Sequence, residues 1–251
     1  MSLNLTGKLN VSSGGLSVST TPIITNDPFF NNVVLLLHMD GTDGGSTFID
    51  NSQYNRTITR NGSANTSTDQ IQFGTASCEI NVGVTRSQAN NLSFADDPIF
   101  TLGTQDFTIE SWVYPTANTT LNQYFVLGTS TSTYLALGRA SGVEAAIFRV
   151  FVSNNAQVAL DGIDWTLNQW QHIAVTRSGN TFRLFQDGIE TDSQITSHSI
   201  GDQTTNFIGR GTTSNDVNGA YVGYIDDLRF TIGTARYTEN FSVPTMPFFD
   251  Q

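Results

Sequence analysis

The chain has a single lysine, Lys8, and ten scattered arginines against 22 acidic side chains, a net charge of −11. Binding to nucleic-acid phosphates needs a clustered basic stripe, and none is present. Docking on an anionic membrane is excluded on the same ground. The one cysteine, Cys78, rules out an intrachain disulfide, and a lone thiol in a strand-like context reads as a small buried hydrophobe. Glutamate is also scarce: Glu79, Glu110, Glu144, Glu190 and Glu239 all stand more than thirty residues apart. Glycoside hydrolysis needs two carboxylates a few ångströms apart, about 5–5.5 Å for retention, and no glutamate pair suggests itself. Asp96–Asp97 and Asp161/Asp164 are close in sequence but sit in loop-like segments, where Asp caps turns. Nucleophile elbows, phosphate loops, dinucleotide fingerprints and zinc spacings are missing as well. No apolar run approaches the roughly 18 residues that span a bilayer. The first residues hold no apolar signal region, so the expected product is made in a cytoplasm and used without export.

What the sequence does hold is strand and turn. Short alternating runs rich in Val, Ile and Phe are separated by Gly, Asn, Ser and Asp, which predicts an all-β sandwich or barrel. Residues 1–30 are polar, low in charge and interrupted by Pro22 and Pro28; they read as an extended N-terminal arm, with residues 31–251 as the folded domain. "FTIESWVYP" (107–115) puts Phe107, Ile109, Ser111 and Val113 on one face and Thr108, Glu110, Trp112 and Tyr114 on the other. "WQHIAVTRSGNTFRLFQDGIETD" predicts two successive hairpins, the second turning at Asp187–Gly188. The tail "ARYTENFSVPTMPFFDQ" is extended by its prolines, with its aromatics packed along the outside.

One late strand, "GYIDDLRF" (223–230), carries two adjacent aspartates. By simple alternation they face opposite sides of a sheet, and one shares the direction of Leu228 and Phe230. Early in the chain, "HMDGTDGG" offers Asp40 and Asp43 with carbonyls freed by glycine, and "FIDNSQ" offers Asp50 and Asn51. Such oxygen-rich loops suit calcium, which takes six to eight oxygen ligands. They suit equally well a metal-free loop whose aspartates accept backbone N–H bonds.

The order of these segments resembles the laminin-G/pentraxin-like group of concanavalin A-like jelly rolls. The segments that carry it are "VVLLLHMDGTDGGSTFIDNS", "FTIESWVYP", "NQWQHIAVTRSGNTFRLFQDGIE", "TNFIGR" and "GYIDDLRFTIGTARYTENFSVPTMPF", spanning about residues 32–248. The last is most similar to the form found in tailed-bacteriophage virion proteins. The resemblance implies a two-sheet antiparallel jelly-roll sandwich whose first and penultimate strands lie close together. It also implies that a structural calcium, where present, is held between the early loops and the late strand, by Asp40, Asp50 and Asp226 or Asp227.

Fold alone does not give function, because the same scaffold carries binding modules, structural appendages and enzymes. The resemblance implies a non-enzymatic virion protein, a capsid decoration or a tail or fibre component. Its arm would attach it to other virion proteins, and it could form a homo-oligomer. The alternative is a carbohydrate-binding module for host or environmental glycans, with Trp165, Tyr134 and Tyr221 as candidate stacking platforms. Nucleic acid and membrane are not expected partners.

Overall fold

The computed structural model describes residues 9–12, 15–18, 26–84, 87, 89–117, 122–128, 134–139, 146–152, 155–201, 206–210 and 220–251. Strands β1 (Leu9–Ser12) and β2 (Gly15–Val18) pair as a hairpin within the predicted arm. The rest of residues 1–25 lies outside the described residues. The first half of the domain holds β3 (Val33–Leu37), β4 (Ile58–Asn61), β5 (Asn65–Ser67), β6 (Ser77–Ile80), β7 (Asn91–Phe94) and β8 (Phe107–Pro115). Next come β9 (Asn122–Leu127), β10 (Tyr134–Arg139), β11 (Ala146–Val152), β12 (Asn155–Ile163) and β13 (Gln171–Ser178). Strands β14 (Thr181–Gln186), β15 (Ile189–Ile195), β16 (Asn206–Ile208) and β17 (Gly223–Ile232) complete it.

They form two antiparallel sheets, as the jelly-roll expectation requires. One runs β12-β11-β10-β9-β16-β7-β4, the other β15-β14-β13-β8-β17-β6-β5 with β3 also paired to β17. The early strand therefore meets the last strand, where the resemblance implied the penultimate one. Inner residues of both sheets share one core: Phe107, Ile109 and Val113 of β8 meet Leu92 and Phe94 of β7, Phe125 of β9 and Phe148 of β11. The expected alternation of β8 holds on this side, and both hairpins of residues 171–195 form with two-residue turns. Along one open side of the sandwich, the edges β12 and β15 are joined by side chains. Asp161 N donates to Asp192 Oδ2 at 2.8 Å, and Ala159 N donates to Gln194 Oε1 at 2.9 Å. Exposed strand edges invite unwanted pairing, and these contacts blunt both at once.

The run "VVLLL" is buried at every position because β3 is covered on both faces. Val34, Leu35 and Leu37 join the core, while Val33 and Leu36 pack with Phe30 and Phe248 on the outer side. The predicted tail does lie along that outer face: the Tyr237 and Phe241 rings stack 3.5 Å apart, and Phe248 lies under the Arg229 guanidinium at 3.7 Å. Asp27 joins this layer, its N–H donating to the Gln251 carbonyl. Residues 27–30 thus anchor to the domain, inside the segment the sequence assigns to the arm.

In β17 the alternation expected for "IDD" fails. Asp226 pairs with Trp112 and Arg229 with Glu110, and the register shifts between them. The extra residue is Asp227, whose φ of 48° lies in the left-handed region. Leu228 and Phe230 still enter the core, but neither aspartate follows them. Asp226 stands with Trp112 on the outer face, and Asp227 also turns outward.

Candidate functional site

Each of the four aspartates proposed as calcium ligands has its own set of partners. Asp40 Oδ1 accepts from the Thr75 backbone N–H and, at 2.9 Å, from its hydroxyl. Asp50 accepts four bonds, from Leu36 N, Ser52 N, Ser52 Oγ and Arg56 N, at 2.9–3.0 Å. Asp226 Oδ2 accepts from Gln72 N and Phe73 N, at 2.9 and 3.0 Å. Asp227 divides its oxygens between His38 Nδ1 at 2.6 Å and Phe248 N at 2.7 Å. Among the described residues no group of three or more His, Cys, Asp or Glu side chains could hold a metal ion. The four aspartates expected to share a calcium are therefore not brought together as one ligand set among the described residues; Asp226 Oδ1 is the one of their buried oxygens left without a described partner. The late strand is tied to the early one directly, by Asp227 and His38. Burial works against the charge on His38, yet the Asp227 carboxylate beside it holds the imidazole above its ordinary range.

Other acidic side chains are similarly engaged. Glu110 is fully buried: Arg229 donates to its Oε1 at 3.0 and 2.7 Å, and Tyr237 Oη donates to its Oε2 at 2.8 Å. His172 Nε2 lies 3.3 Å from the same carboxylate, close but outside hydrogen-bond alignment. Burial alone would raise the Glu110 carboxyl, but the Arg229 charge holds it far below the usual range. Asp97 caps a short 3₁₀ turn through Ile99 N and pairs with Arg56, and Asp161 pairs with Arg149. These carboxylates stabilise the fold.

Two of the proposed sugar platforms are in the core. Trp165 is 7% exposed and Tyr221 0%, and their rings meet each other at 6.4 Å, so neither presents a face to a ligand. Both side chains turn into the core, which a count of aromatics in polar sequence does not reveal. Tyr134 begins β10, and its side chain lies outside the described residues.

A site that the sequence reading missed lies on the outer face of the seven-stranded sheet. There β4, β7 and β16 are neighbours, and Thr59, Ser93 and Phe207 fall in one row across them. With Ile208, Leu92 and Phe94 directed to the core, alternation turns Phe207, Asn91 and Ser93 the other way. They line an open cleft of about 380 Å³ with Asn61, Gly62, Ala89 and Arg210. Asn61 Nδ2 donates to Asn91 Oδ1 at 2.9 Å and Ser93 Oγ at 3.0 Å, locking the amide across two strands. The rim is held by Asn90, whose Oδ1 accepts from Ser63 N and whose Nδ2 donates to Asn81 Oδ1. Arg210 lies over the Phe207 ring at 4.3 Å, and burial lowers the pKa of its guanidinium. The alternation of "NLSF" and "NFIGR" is the signal that would have found the cleft, had the strands been known to be adjacent. A smaller cavity of about 130 Å³ is lined by His38, Met39, Asp40, Ile49 and Asn51.

The family model Laminin_G_3, of the concanavalin A-like lectin/glucanases superfamily, matches residues 86–233, more than half of the chain. No curated protein matches the sequence. Among solved structures, domain 4 of the arabinanase AbnA from Geobacillus stearothermophilus, determined with arabinotriose, is 17% identical with a TM-score of 0.59. The match covers 81% of this chain and 94% of that domain. The binding domain of Paraclostridial Mosquitocidal Protein 1 is 13% identical with a TM-score of 0.64, covering 83% of this chain and 50% of that one. A botulinum neurotoxin type C structure, whose cell entry depends on two ganglioside molecules, is 12% identical with a TM-score of 0.58, covering 85% and 49%. The chain thus spans about half the length of the two toxin structures. At these identities the likeness is one of fold.

Proposed function

The chain belongs to the concanavalin A-like lectin/glucanase superfamily, and from that membership we propose that it is a non-catalytic, glycan-binding jelly roll displayed on a tailed-phage particle. The observation that carries the binding role is the cleft over β4, β7 and β16. It combines locked amides, a hydroxyl and an aromatic ring on a rigid sheet, the mixture that recognises sugar hydroxyls and ring faces. With its amide nitrogen committed to Asn91 and Ser93, Asn61 offers its oxygen to a ligand hydroxyl. Sugar ligands of similarly folded domains, such as the arabinotriose of the AbnA domain, make a glycan the natural candidate.

The virion placement rests on the resemblance of the last segment to phage virion domains, and it fits the way the domain is entered. Residues 27–30 and the tail occupy the outer face of the eight-stranded sheet, and the cleft opens on the seven-stranded one. An arm attached to a capsid or tail would leave the cleft pointing away from the particle. A glycan array with the whole protein, repeated with Asn61→Ala and Ser93→Ala, tests the binding role. Binding of a defined glycan class that both substitutions weaken supports it. Absence of binding across the array overturns it and leaves only the architectural role. Deletion of residues 2–25 tests attachment, which predicts a folded domain that no longer assembles onto particles.

A further inference from the structure

The other arginines whose side chains are described are neutralised or spent on carbonyls. Arg56, Arg149, Arg183, Arg229 and Arg236 each face a carboxylate within 4.0 Å. Arg60 donates to the Ala64 carbonyl, and Arg177 to those of Gly103 and Gly179. Arg210 has neither kind of partner among the described residues: its guanidinium lies on Phe207, and its Nε donates to no described acceptor. A half-buried cation with no carboxylate partner among the described residues is unusual in a chain of net charge −11, and the described lining of its cleft holds no carboxylate.

The geometry narrows the ligand. With its guanidinium carbon 4.3 Å from the centre of the Phe207 ring, Arg210 has an N–H edge left for a further acceptor. The group that matches this edge is a planar, two-oxygen anion, and a carboxylate meets it with two parallel charge-assisted bonds. The neighbouring groups, Asn61, Asn91 and Ser93, suit the hydroxyls of a sugar ring. We infer that the cleft selects an acidic sugar, a uronic or sialic acid unit, with its carboxylate on the edge of Arg210 and its hydroxyls toward Asn61 and Ser93. This inference rests on the glycan-binding reading above and adds the ligand class to it.

The test compares each acidic oligosaccharide, one uronic and one sialylated, with its counterpart in which the carboxylate is reduced to the alcohol. Calorimetric titration of the whole protein should show the acid binding at least about tenfold tighter than its reduced form, by the worth of one charge-assisted pair. Raising the salt should shrink that preference. Arg210→Gln should abolish it, and Arg210→Lys, which keeps a charge without the planar edge, should retain only part. Which acid responds identifies the source of the carboxylate. If acid and reduced forms bind equally, or if Arg210→Gln leaves the preference intact, the inference is overturned while glycan binding stands. If neither form binds and the glycan array is also blank, the binding role itself has failed. Should Arg210→Gln fold poorly, Arg210→Lys and the salt dependence of the unaltered protein still decide the matter.

Discussion

Asp27 and Arg236, 209 positions apart, form a two-point pair, with Nη1 donating to Oδ1 at 2.9 Å and Nη2 to Oδ2 at 2.6 Å. Arg229 donates to the same Asp27 Oδ2 at 3.1 Å, and its other edge holds Glu110. Two cations and two carboxylates are thus arranged as a neutral cluster, buried between the sheet and the segments by which the chain enters and leaves the domain. The Asp27 clasp closes the fold, and residues that far apart in sequence give no sign of it beforehand.

Substituting Asp27 by Asn leaves two guanidinium groups facing a single carboxylate. Breaking one member out of a buried ionic cluster costs about 3–5 kcal/mol. Asp27→Asn should therefore lower the denaturation free energy by about that much, with the mass and sheet signal of the folded protein unchanged. A loss under about 1 kcal/mol would show that the cluster relaxes into water and does not hold the termini.

The same cluster sets the acid limit. Burial opposes ionisation of Asp27 and Glu110, but the arginines hold both carboxyls below their ordinary values. The unfolded chain therefore binds more protons as pH falls below about 4. The stability from these pairs is present above that pH and is lost as pH falls toward the folded-state values. Acid unfolding followed by circular dichroism should be steeper in the unaltered protein than in Asp27→Asn. Parallel curves would place the acid sensitivity elsewhere.

Asp226 acts in the opposite direction. Its Oδ2 accepts two backbone N–H bonds, but Oδ1 is buried with no described partner, and burial pushes the carboxyl up to about 8. The folded state then holds the proton between about pH 4 and 8 while the unfolded chain has released it, so stability declines as pH rises through that window. Asn mimics the neutral acid and still accepts both N–H bonds. Asp226→Asn should match the unaltered protein near pH 4 and exceed it by a few kcal/mol at pH 8. Equal stability at pH 8 would mean that the carboxylate ionises in place without penalty.

The strands, the hairpins of residues 171–195, the burial of Cys78 and the outer position of the tail were legible because each depends on local alternation or turn chemistry. The bulge at Asp227 was not, since a single left-handed non-glycine residue leaves no mark in the hydrophobic pattern. Trp165 and Tyr221 were misread because polar neighbours in the sequence do not say which way a loop folds. The cleft was hidden for another reason: Asn61, Ser93 and Phe207 come from strands that only the sheet order brings side by side.

The docking of the tail can be isolated with two glycines. Gly179 and Gly188 sit in successive hairpin turns, both with positive φ, 58° and 80°. A Cβ at Gly179 meets nothing within 4 Å, whereas one at Gly188 would lie 2.0 Å from the Phe241 carbonyl oxygen. The Phe241 N–H also donates to the Gly188 carbonyl at 2.9 Å, so turn and tail meet backbone to backbone. Alanine at either position incurs the left-handed cost of about 1–2 kcal/mol. Only at Gly188 must the tail also move, giving up that bond and disturbing the Tyr237–Phe241 stack. Gly188→Ala should thus be the more destabilised of the two by at least about 1 kcal/mol, and limited proteolysis should cut its residues 237–248 first. If both variants lose the same stability and the tail resists cleavage in each, the tail is held by its other contacts, such as Tyr237 with Glu110 and Phe248 with Asp227 and Arg229, and the hairpin turn plays no part in closing the domain.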